Sequence, residues 1–526
     1  MMKRFSFWFV LSIITLFSYS QQKKPEYIKK LENSAIKHFQ MGDYLIAMHN
    51  YYKLYQEDST NLYYMSQLAY SYINAERNIE KAIQLLKSYV KRGGIKNNDY
   101  YYHLGKAYMF DLKIEKATET LSQYSFKPTG DNKKDDKERI RANEVKRLLE
   151  MCYDANYLLS SPLPVKFENL GPNVNSSHDD YLPFIIDGNK LLFTSNKYYD
   201  DFYEVYTQNI YYSELKDGQW TFAKPMKKLN TEDNEELNSI TSDGKIMFIR
   251  NNFYEDYSSI LVAIRKGKTF KYPENNHIQE VLLDKVYYMG ASYDVKSKTI
   301  YTAYANKYNG NYDIYKISEL PNGTWGNPEK LPPEINTPYQ EAYPVISASG
   351  DTLYFASKGH NSMGGYDIFY SVYKNGKWSQ AVNLGYPINS TFDDYSIIYT
   401  NNGKYAYVSA NRKGGYGGKD IYKISFQNKD VPLILIQGLL SIKTKNGAIK
   451  SFDNHPDDFY ILVKNEDGDI VAKYLMQKNK NKFIAILPPG KYYFVFSYDG
   501  FKDKKVRIIV DETKKILQKE ITLEKL

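Results

Sequence analysis

The chain has 526 residues, which is too long for one hydrophobic core, so three or four domains are expected. The net charge is +9, and the sequence has no long basic tract of the kind that marks nucleic-acid-binding proteins, so no nucleic-acid partner is expected. Aromatic residues make up 16% of the chain, with 54 Tyr, and this composition favours half-buried β-strands.

The first twenty residues have the pattern of a secretory signal peptide. Lys3 and Arg4 precede a short apolar run, and Ser18-Tyr19-Ser20 places small residues before Gln21. The run is too short to span a bilayer, although an uncleaved N-terminal anchor is the alternative. We therefore expect an exported protein without a direct membrane span, either free in the periplasm or peripheral to the outer membrane.

From about residue 28 to 125 the apolar pattern is helical and repeats every 35 residues. Two sets of residues recur at this step: Ala47, Ala82 and Ala117, and Tyr51, Leu86 and Leu121. A small residue at a fixed spacing lets paired helices approach closely, as in stacked helical repeats. We expect about three repeats, a loop from Lys127 to Lys137, and a capping helix from roughly 136 to 158.

A cluster of tyrosines makes these repeats the best candidate binding surface. Stacked helix pairs form a concave surface that suits a peptide or a helix, and tyrosine rings are common anchors at interfaces. The candidate protein-binding residues are Tyr63, Tyr64, Tyr100, Tyr101 and Tyr102. The alternative, that these rings pack between the helices, stays open.

From about residue 165 to 427 the period is about 53 residues and the units are β-like. In most units a strand follows a Gly-containing turn, and Asp-Ile-Tyr or a related triplet, Gly-x-Trp, and Asn-Thr or Asn-Ser come next. Four short strands per repeat predict a β-propeller. The number of blades is five or six, because the units are degenerate around residues 271 to 290.

The two ends of this region complement each other. The last unit stops after Asp420-Ile421-Tyr422, without the Trp and the Asn-Ser segment. The missing piece stands before the first unit, where Asn169-Leu170-Gly171 matches Asn383-Leu384-Gly385. We therefore predict that an N-terminal strand completes the last blade and leaves no open sheet edge.

Six repeated positions are interpreted as structural. They are the aspartates Asp313, Asp367 and Asp420 and the tryptophans Trp220, Trp325 and Trp378. The Gly-rich loops before the aspartates could cradle an anion through backbone N–H groups, and the carboxylates could bind Ca²⁺. A hydrogen bond between strands explains equally well why the aspartate recurs.

Acidic residues also recur just ahead of the first strand of most units. They are Asp179-Asp180, Glu235-Glu236, Glu341 and Asp393-Asp394. Catalytic carboxylates need two unlike environments, whereas a repeat supplies similar ones, so polar contacts between blades are favoured. The seven His have no metal-binding spacing, and no Ser lies in a GxSxG motif. We expect no enzyme, no catalytic residue, no cofactor and no metal site.

From about residue 432 to 526, strand-like runs alternate with turns. Five to seven short strands in about 90 residues predict a small β-sandwich of the immunoglobulin-like or transthyretin-like kind. The predicted domains are a signal peptide (1–20), helical repeats (21–160), a propeller (161–430) and a sandwich (431–526).

The three modules resemble known families. The helical part is similar to tetratricopeptide repeats at Ala47 and Tyr51, and residues 341–390 and 394–422 resemble TolB-like propeller repeats. The last part resembles carboxypeptidase regulatory-like domains at residues 487–492 and 498–501. Together they resemble Bacteroidetes envelope proteins of the OmpA family, which include components of the type IX secretion system. Those relatives end in a peptidoglycan-binding domain, whereas this chain ends at Leu526, so direct peptidoglycan binding is not expected.

This domain order implies a non-catalytic periplasmic scaffold or adaptor. Its expected partners are outer-membrane or periplasmic envelope proteins, and the resemblance implies a role in type IX secretion or gliding. Two alternatives remain: a module that binds carbohydrate or peptidoglycan fragments, and a hydrolase built on the propeller.

Overall fold

A computed structural model describes residues 25–525 with internal gaps. The gaps are 129, 201–204, 253–257, 273–277, 279–281, 283–285, 306–309, 401–404, 427–433, 445, 453–458, 467, 469, 477–480, 488–489, 499 and 512–515. The predicted signal peptide lies outside the described residues. The chain divides into two compact units, Met1–Val145 and Lys146–Leu526.

Helices form the N-terminal part. Their bounds are α1 (Glu26–Met41), α2 (Tyr44–Glu57), α3 (Leu62–Asn74), α4 (Ile79–Lys91), α5 (Asn98–Phe110), α6 (Ile114–Leu121) and α7 (Asn132–Ser160). Helices α1 to α6 pack against their neighbours in chain order. The alanines at the 35-residue step are fully buried, which confirms that this position marks close helix contacts.

Helix α7 corrects the predicted loop between Lys127 and Lys137. The helix begins at Asn132, because Asp131 accepts hydrogen bonds through Oδ1 from the backbone N–H groups of Lys133 (3.1 Å) and Lys134 (3.3 Å). An exposed ion pair between Asp136 and Arg139 lies on the next turn. The run of charges is therefore the solvated first part of a capped helix. None of the helices that the structure describes is long and apolar enough to cross a bilayer.

Five antiparallel sheets follow in the second unit. The first strand, β1 (Val165–Asn169), precedes sheet 1, which contains β2 (Asp180–Ile186), β3 (Lys190–Asp200), β4 (Val205–Lys216), β5 (Gln219–Trp220) and β6 (Lys224–Pro225). Sheet 2 contains β7 (Asn234–Ile240), β8 (Ile246–Asn252), β9 (Ser258–Lys266) and β10 (Thr269–Lys271). Sheet 3 contains β11 (Tyr287–Asp294), β12 (Thr299–Ala305), β13 (Asp313–Ser318) and β14 (Glu329–Lys330).

The last two sheets of this series follow the same order. Sheet 4 contains β15 (Glu341–Ile346), β16 (Thr352–Ser357), β17 (Asp367–Lys374), β18 (Lys377–Trp378) and β19 (Val382–Asn383). Sheet 5 contains β20 (Ile397–Tyr399), β21 (Tyr405–Asn411), β22 (Lys419–Phe426) and, from the other end of the region, β1. These repeated four- and five-stranded sheets are consistent with a β-propeller.

The pairing of β1 with β22 confirms the predicted completion of the last sheet. The two strands are antiparallel, with Val165 opposite Phe426 and Asn169 opposite Tyr422. The strand ends at Asn169, so most of the matched segment 169–176 forms the turn that follows it. A core cluster containing Phe193 of sheet 1 and Ile421 of sheet 5 joins the first and last sheets.

A bulge interrupts the first strand of four sheets. The register shifts between Tyr181 and Phe184 in β2 and between Ala342 and Val345 in β15, with equivalent shifts in β7 and β11. Within two of these bulges Leu182 and Tyr343 adopt positive φ angles of 51° and 49°. A bulge redirects the side chains of its strand. Tyr181 and Tyr343, which lie at two of these bulges, belong to the same apolar cluster.

Two further sheets end the chain. One contains β23 (Ile434–Lys443), β24 (Ile449–Ser451), β27 (Lys482–Leu487) and β30 (Ile516–Glu524), and the other contains β25 (Tyr460–Lys464), β26 (Ile470–Leu475), β28 (Gly490–Phe496) and β29 (Lys504–Val510). They share one apolar core. The described residues hold eight strands instead of the five to seven predicted. One of them, β30, is mixed in polarity and pairs in parallel with β23.

Candidate functional site

Four asparagines form the same pair of hydrogen bonds with the backbone of the sheets. Each accepts a hydrogen bond from the N–H of an isoleucine in the Asp-Ile-Tyr position or its equivalent, and donates one to the C=O of the same residue. The pairs are Asn175 with Ile421, Asn230 with Ile210, Asn336 with Ile314, and Asn389 with Ile368, at 2.7–3.0 Å. The Asn-Thr and Asn-Ser pairs of the sequence therefore satisfy backbone groups of the strands.

The hydroxyl residue after each asparagine binds one of the recurrent acids. Ahead of sheet 4, the N–H and hydroxyl of Thr337 donate to Glu341 at 3.0 and 2.7 Å. Ahead of sheet 5, the N–H and hydroxyl of Ser390 donate to Asp394 at 2.7 and 2.9 Å. The same contacts join Thr231 to Glu235 and Ser176 to Asp180. The sequence signal is Asn-(Ser/Thr)-x-x-x-acid, a spacing that could have linked the two motifs before the structure was known.

Two of the repeated aspartates anchor their own Gly-rich loops. Asp367 accepts hydrogen bonds from the N–H of Met363 (2.9 Å) and from Asn383 (2.7 Å). Asp420 accepts hydrogen bonds from the N–H of Tyr416 (2.7 Å) and from Asn169 (2.7 Å). Asp313 forms an ion pair with Lys330 at 2.7 Å. These carboxylates bind groups of the fold itself.

The glycines of these loops lie against the next segment of chain. A Cβ on Gly364 would meet the C=O of Ser390 at 2.5 Å, and one on Gly417 would meet the C=O of His178 at 1.8 Å. Neighbouring N–H groups donate across the same junctions, from Tyr366 to Asp393 and from Lys419 to Asp179, both at 2.8 Å. The loops that could have cradled an anion are thus in contact with carbonyl and carboxylate oxygens.

The repeated tryptophans pack as edge-on partners of aromatic rings. Trp378 of sheet 4 lies 6.0 Å from Tyr301 of sheet 3, and Trp220 of sheet 1 lies 6.4 Å from Tyr407 of sheet 5. Trp325 lies 6.4 Å from Tyr293 within sheet 3. Two of the three rings therefore bridge neighbouring sheets, including the pair that closes the series.

A cluster of aromatic and charged side chains lies where the first strands of the sheets converge. We call Tyr181, Glu236, Arg250, Tyr343, Tyr366, Asp393 and Tyr395 the central cluster. The Tyr395 ring lies 5.0 Å from Tyr343, 5.9 Å from Tyr366 and 6.3 Å from Tyr181. Sequence analysis missed the cluster, because its tyrosines do not recur in every unit: Tyr181 and Tyr395 directly follow recurrent acids, whereas Ala342 holds that position in sheet 4.

An ion pair lies inside the central cluster. The Arg250 guanidinium donates to Glu236 at 3.0 Å, and Glu236 also accepts hydrogen bonds from Tyr181 (3.0 Å) and Asn238 (3.1 Å). The side chain of Glu236 is only 2% exposed and that of Arg250 is 14% exposed. Three donors from the fold itself therefore hold the Glu236 carboxylate in place.

Two lysines lie over aromatic rings of the central cluster. Lys358 lies 4.5 Å above the ring of Tyr366, and Lys419 lies 5.3 Å above the ring of Tyr395. Both rings are thus covered on one face by a cation. Tyr181, Tyr343 and Tyr366 are buried, which leaves little aromatic surface for a sugar ring to stack on.

Burial changes the protonation of the recurrent acids and predicts a pH-dependent stability. Desolvation raises the pKa of Asp180 to about 6 and the pKa values of Glu341 and Asp394 to about 7, against the lowering effect of their Ser and Thr donors. The folded state then binds protons more tightly than the unfolded state. We expect the free energy of unfolding to fall as the pH rises from 5 to 8, by about 1.4 kcal/mol for each pKa unit of difference.

Denaturant titrations at several pH values, followed by Trp fluorescence, measure this dependence. Asp394→Asn is the matched variant, because an amide keeps an acceptor for Ser390 but cannot titrate. Its slope of stability against pH should be smaller than that of the parent chain. Equal slopes, or a stability that rises towards pH 8, would contradict the assignment.

The five tyrosines predicted to bind a protein lie in different environments. Tyr64, Tyr100 and Tyr102 are buried, and Arg141 lies 4.1 Å above the ring of Tyr102. Tyr63 is 47% exposed, and Tyr101 is half-buried. Packing between helices thus accounts for three of the rings, and only Tyr63 and Tyr101 present substantial surface to a partner. Among the described residues, no group of three or more His, Cys, Asp or Glu could hold a metal ion.

Neither a protein-family model nor a curated protein matches the chain. Similar solved structures include TolB from Acinetobacter baumannii, which is 16% identical, with a TM-score of 0.29, and covers 55% of this chain and 71% of its own. An endo-arabinase from Bacteroides thetaiotaomicron is 12% identical (TM-score 0.32; 51% of this chain and 98% of its own). The Bombyx mori GH32 β-fructofuranosidase is also 12% identical (TM-score 0.33; 73% and 94%).

These similarities carry no argument about activity, because proteins with different functions occur at equally low identity and low TM-score. Within its described residues, the chain consists of N-terminal helical repeats, five antiparallel sheets consistent with a β-propeller, and two C-terminal sheets.

Proposed function

We propose that the chain is a non-catalytic scaffold of the cell envelope. In this proposal, tetratricopeptide-like repeats, a five-bladed TolB-like propeller and a carboxypeptidase regulatory-like sandwich present three binding surfaces in one exported chain. The partners are outer-membrane or periplasmic proteins, and the process is type IX secretion or gliding, as the resemblance implies.

The observation that carries the proposal is the use of the recurrent polar groups within the fold. Four asparagines bind strand backbones, and the acids that follow them accept hydrogen bonds from Ser or Thr four residues earlier. A catalytic site needs carboxylates with unlike environments and room for a reacting group. Side chains that already form hydrogen bonds within the fold do not provide carboxylates in unlike environments or room for a reacting group.

The alternatives receive less support from the central cluster. A hydrolase needs an acid and a base or nucleophile, whereas Glu236 is held by Arg250, Tyr181 and Asn238. A carbohydrate-binding module needs open aromatic faces, whereas Lys358 and Lys419 lie over two of the rings. Binding through extended surfaces does not require either feature.

Crosslinking in cells tests the scaffold function. The tagged, exported chain would be purified after crosslinking, and the proteins that accompany it identified by mass spectrometry. We expect envelope proteins, and we expect less recovery with Tyr63→Ser/Tyr101→Ser, which removes the two accessible candidate rings. The matched control is Tyr405→Ser, an exposed tyrosine on β21.

Three results would contradict the proposal. The first is recovery of glycan without protein. The second is turnover of glycosides by the purified chain that Glu236→Gln abolishes. The third, for the proposed process, is intact secretion and motility in cells that lack the gene.

A further inference from the structure

The second C-terminal sheet has one face whose described side chains are exposed or half-buried. Strands β25, β26, β28 and β29 form this sheet, in the order β26-β25-β28-β29. We call its exposed side the basic face, and its residues are Lys464, Ile470, Lys491, Tyr493, Lys505, Arg507 and Ile509.

Strand register places these side chains on one surface. Lys464 lies opposite Tyr493, Tyr493 lies opposite Arg507, and Lys491 lies opposite Ile509. Directly paired residues of antiparallel strands point to the same side of a sheet, and residues two apart on a strand do so as well. The alternate residues, including Phe494 and Ile508, are fully buried in the core with the other sheet.

The basic face has an excess of positive charge. Among the described residues it carries four cations, and one carboxylate, Glu466, lies 3.6 Å from Lys491 and 3.4 Å from Arg507. Lys505 lies 4.1 Å above the ring of Tyr493. Because Glu466 is shared by two of the cations, the described residues of the face have a net positive charge and would attract an anionic surface.

Apolar side chains stand between these charges. Ile470 is 59% exposed and Ile509 is 56% exposed, at the two edge strands of the sheet. Exposed β-branched apolar residues among lysines and arginines, with an aromatic ring, are the composition of surfaces that lie in a lipid headgroup layer. At such a surface the cations would reach phosphate groups and the isoleucines would enter the boundary with the acyl chains.

We propose that the basic face binds the headgroups of anionic phospholipids. An acidic protein could also meet the charges, but it would need complementary pockets for apolar side chains spread across the sheet, from Ile470 and Ile509 on the edge strands to Val495 opposite Lys505. A membrane surface imposes no such requirement. The inference does not rest on the scaffold function, because lipid binding is measured with the purified chain alone.

Vesicle co-sedimentation of the full chain without its first twenty residues tests the proposal. Vesicles of phosphatidylcholine with about 30% phosphatidylglycerol should bind the chain, and vesicles of phosphatidylcholine alone should bind it at least tenfold more weakly. Lys505→Gln/Arg507→Gln should reduce binding roughly 25-fold, at about fivefold for each cation removed. Ile470→Ser/Ile509→Ser should weaken the part of binding that survives high salt.

The matched control is Lys450→Gln/Lys519→Gln, which removes the same charge from exposed positions on the other C-terminal sheet. It should bind vesicles within about twofold of the parent chain. Circular dichroism and thermal unfolding would establish that every variant is folded. Equal losses in both double variants, equal binding to neutral vesicles, or binding only to an acidic protein would each overturn the proposal.

Discussion

Arg250→Met is expected to lower the free energy of unfolding of the propeller-like region by about 3–5 kcal/mol. The substitution removes the cation that balances Glu236, whose carboxylate is 2% exposed and cannot be reached by much water. Tyr181 and Asn238 would still donate hydrogen bonds, but neither carries a charge. The cost therefore comes from leaving a buried charge without its counterion.

Trp fluorescence during denaturant unfolding measures this effect in the correct part of the chain. Trp220, Trp325 and Trp378 all belong to the repeated sheets, and the remaining tryptophan, Trp8, lies in the predicted signal peptide. The exported chain therefore reports only the sheet region by this signal. A multi-unit chain does not unfold in one step, so a local probe is needed.

Two variants separate the buried ion pair from a general effect of losing an arginine. Arg265 lies on β9 of the same sheet as Arg250, and Arg265→Met removes its surface pair with Asp187 of the turn between β2 and β3, which should cost about 1 kcal/mol or less. Glu236→Gln/Arg250→Met removes both charges and should recover part of the lost stability. If Arg250→Met and Arg265→Met cost the same, the central ion pair does not support the fold.

Repetition decided how much of the fold the sequence could predict. The 53-residue step located the strands containing Phe193, Phe248 and Phe355, and the match between the two ends of the region predicted the pairing of β1 with β22. The 35-residue step located the buried alanines of the helices. These predictions succeeded because each repeat must bury the same face against its neighbour.

Features that occur once were not predictable in the same way. Glu236 and Arg250 lie on adjacent strands of sheet 2, and no other sheet has this pair at the equivalent positions. The bulge that surrounds Tyr343 depends on a positive φ that no turn motif in the sequence signals.

The start of α7 was missed for another reason: Asp131 is a helix cap, but the charges after it obscured the helical pattern.

Asn175→Ala is expected to open the junction between the first and last sheets. Asn175 accepts a hydrogen bond from the N–H of Ile421 (2.8 Å) and donates one to its C=O (3.0 Å), across 246 residues of sequence. Alanine leaves the N–H of Ile421 without this acceptor, whereas the C=O keeps the hydrogen bond from the N–H of Leu170 (3.1 Å), so the expected cost is about 1–3 kcal/mol. We expect faster hydrogen exchange in β1, because the turn that holds this strand against β22 loses its anchor.

Asn389→Ala is the matched control within a single stretch of chain. Asn389 makes the same two hydrogen bonds with Ile368, both at 2.8 Å, only 21 residues away. Both variants should lose similar stability by Trp fluorescence, since the bonds removed are equivalent. Only Asn175→Ala should expose β1 to exchange and to proteolysis between residues 161 and 179, because β1 lies next to Asn175 in sequence and pairs with the strand that holds Ile421. If the two variants give the same exchange pattern in β1, the junction is held by the strand pairing and apolar packing and not by the asparagine.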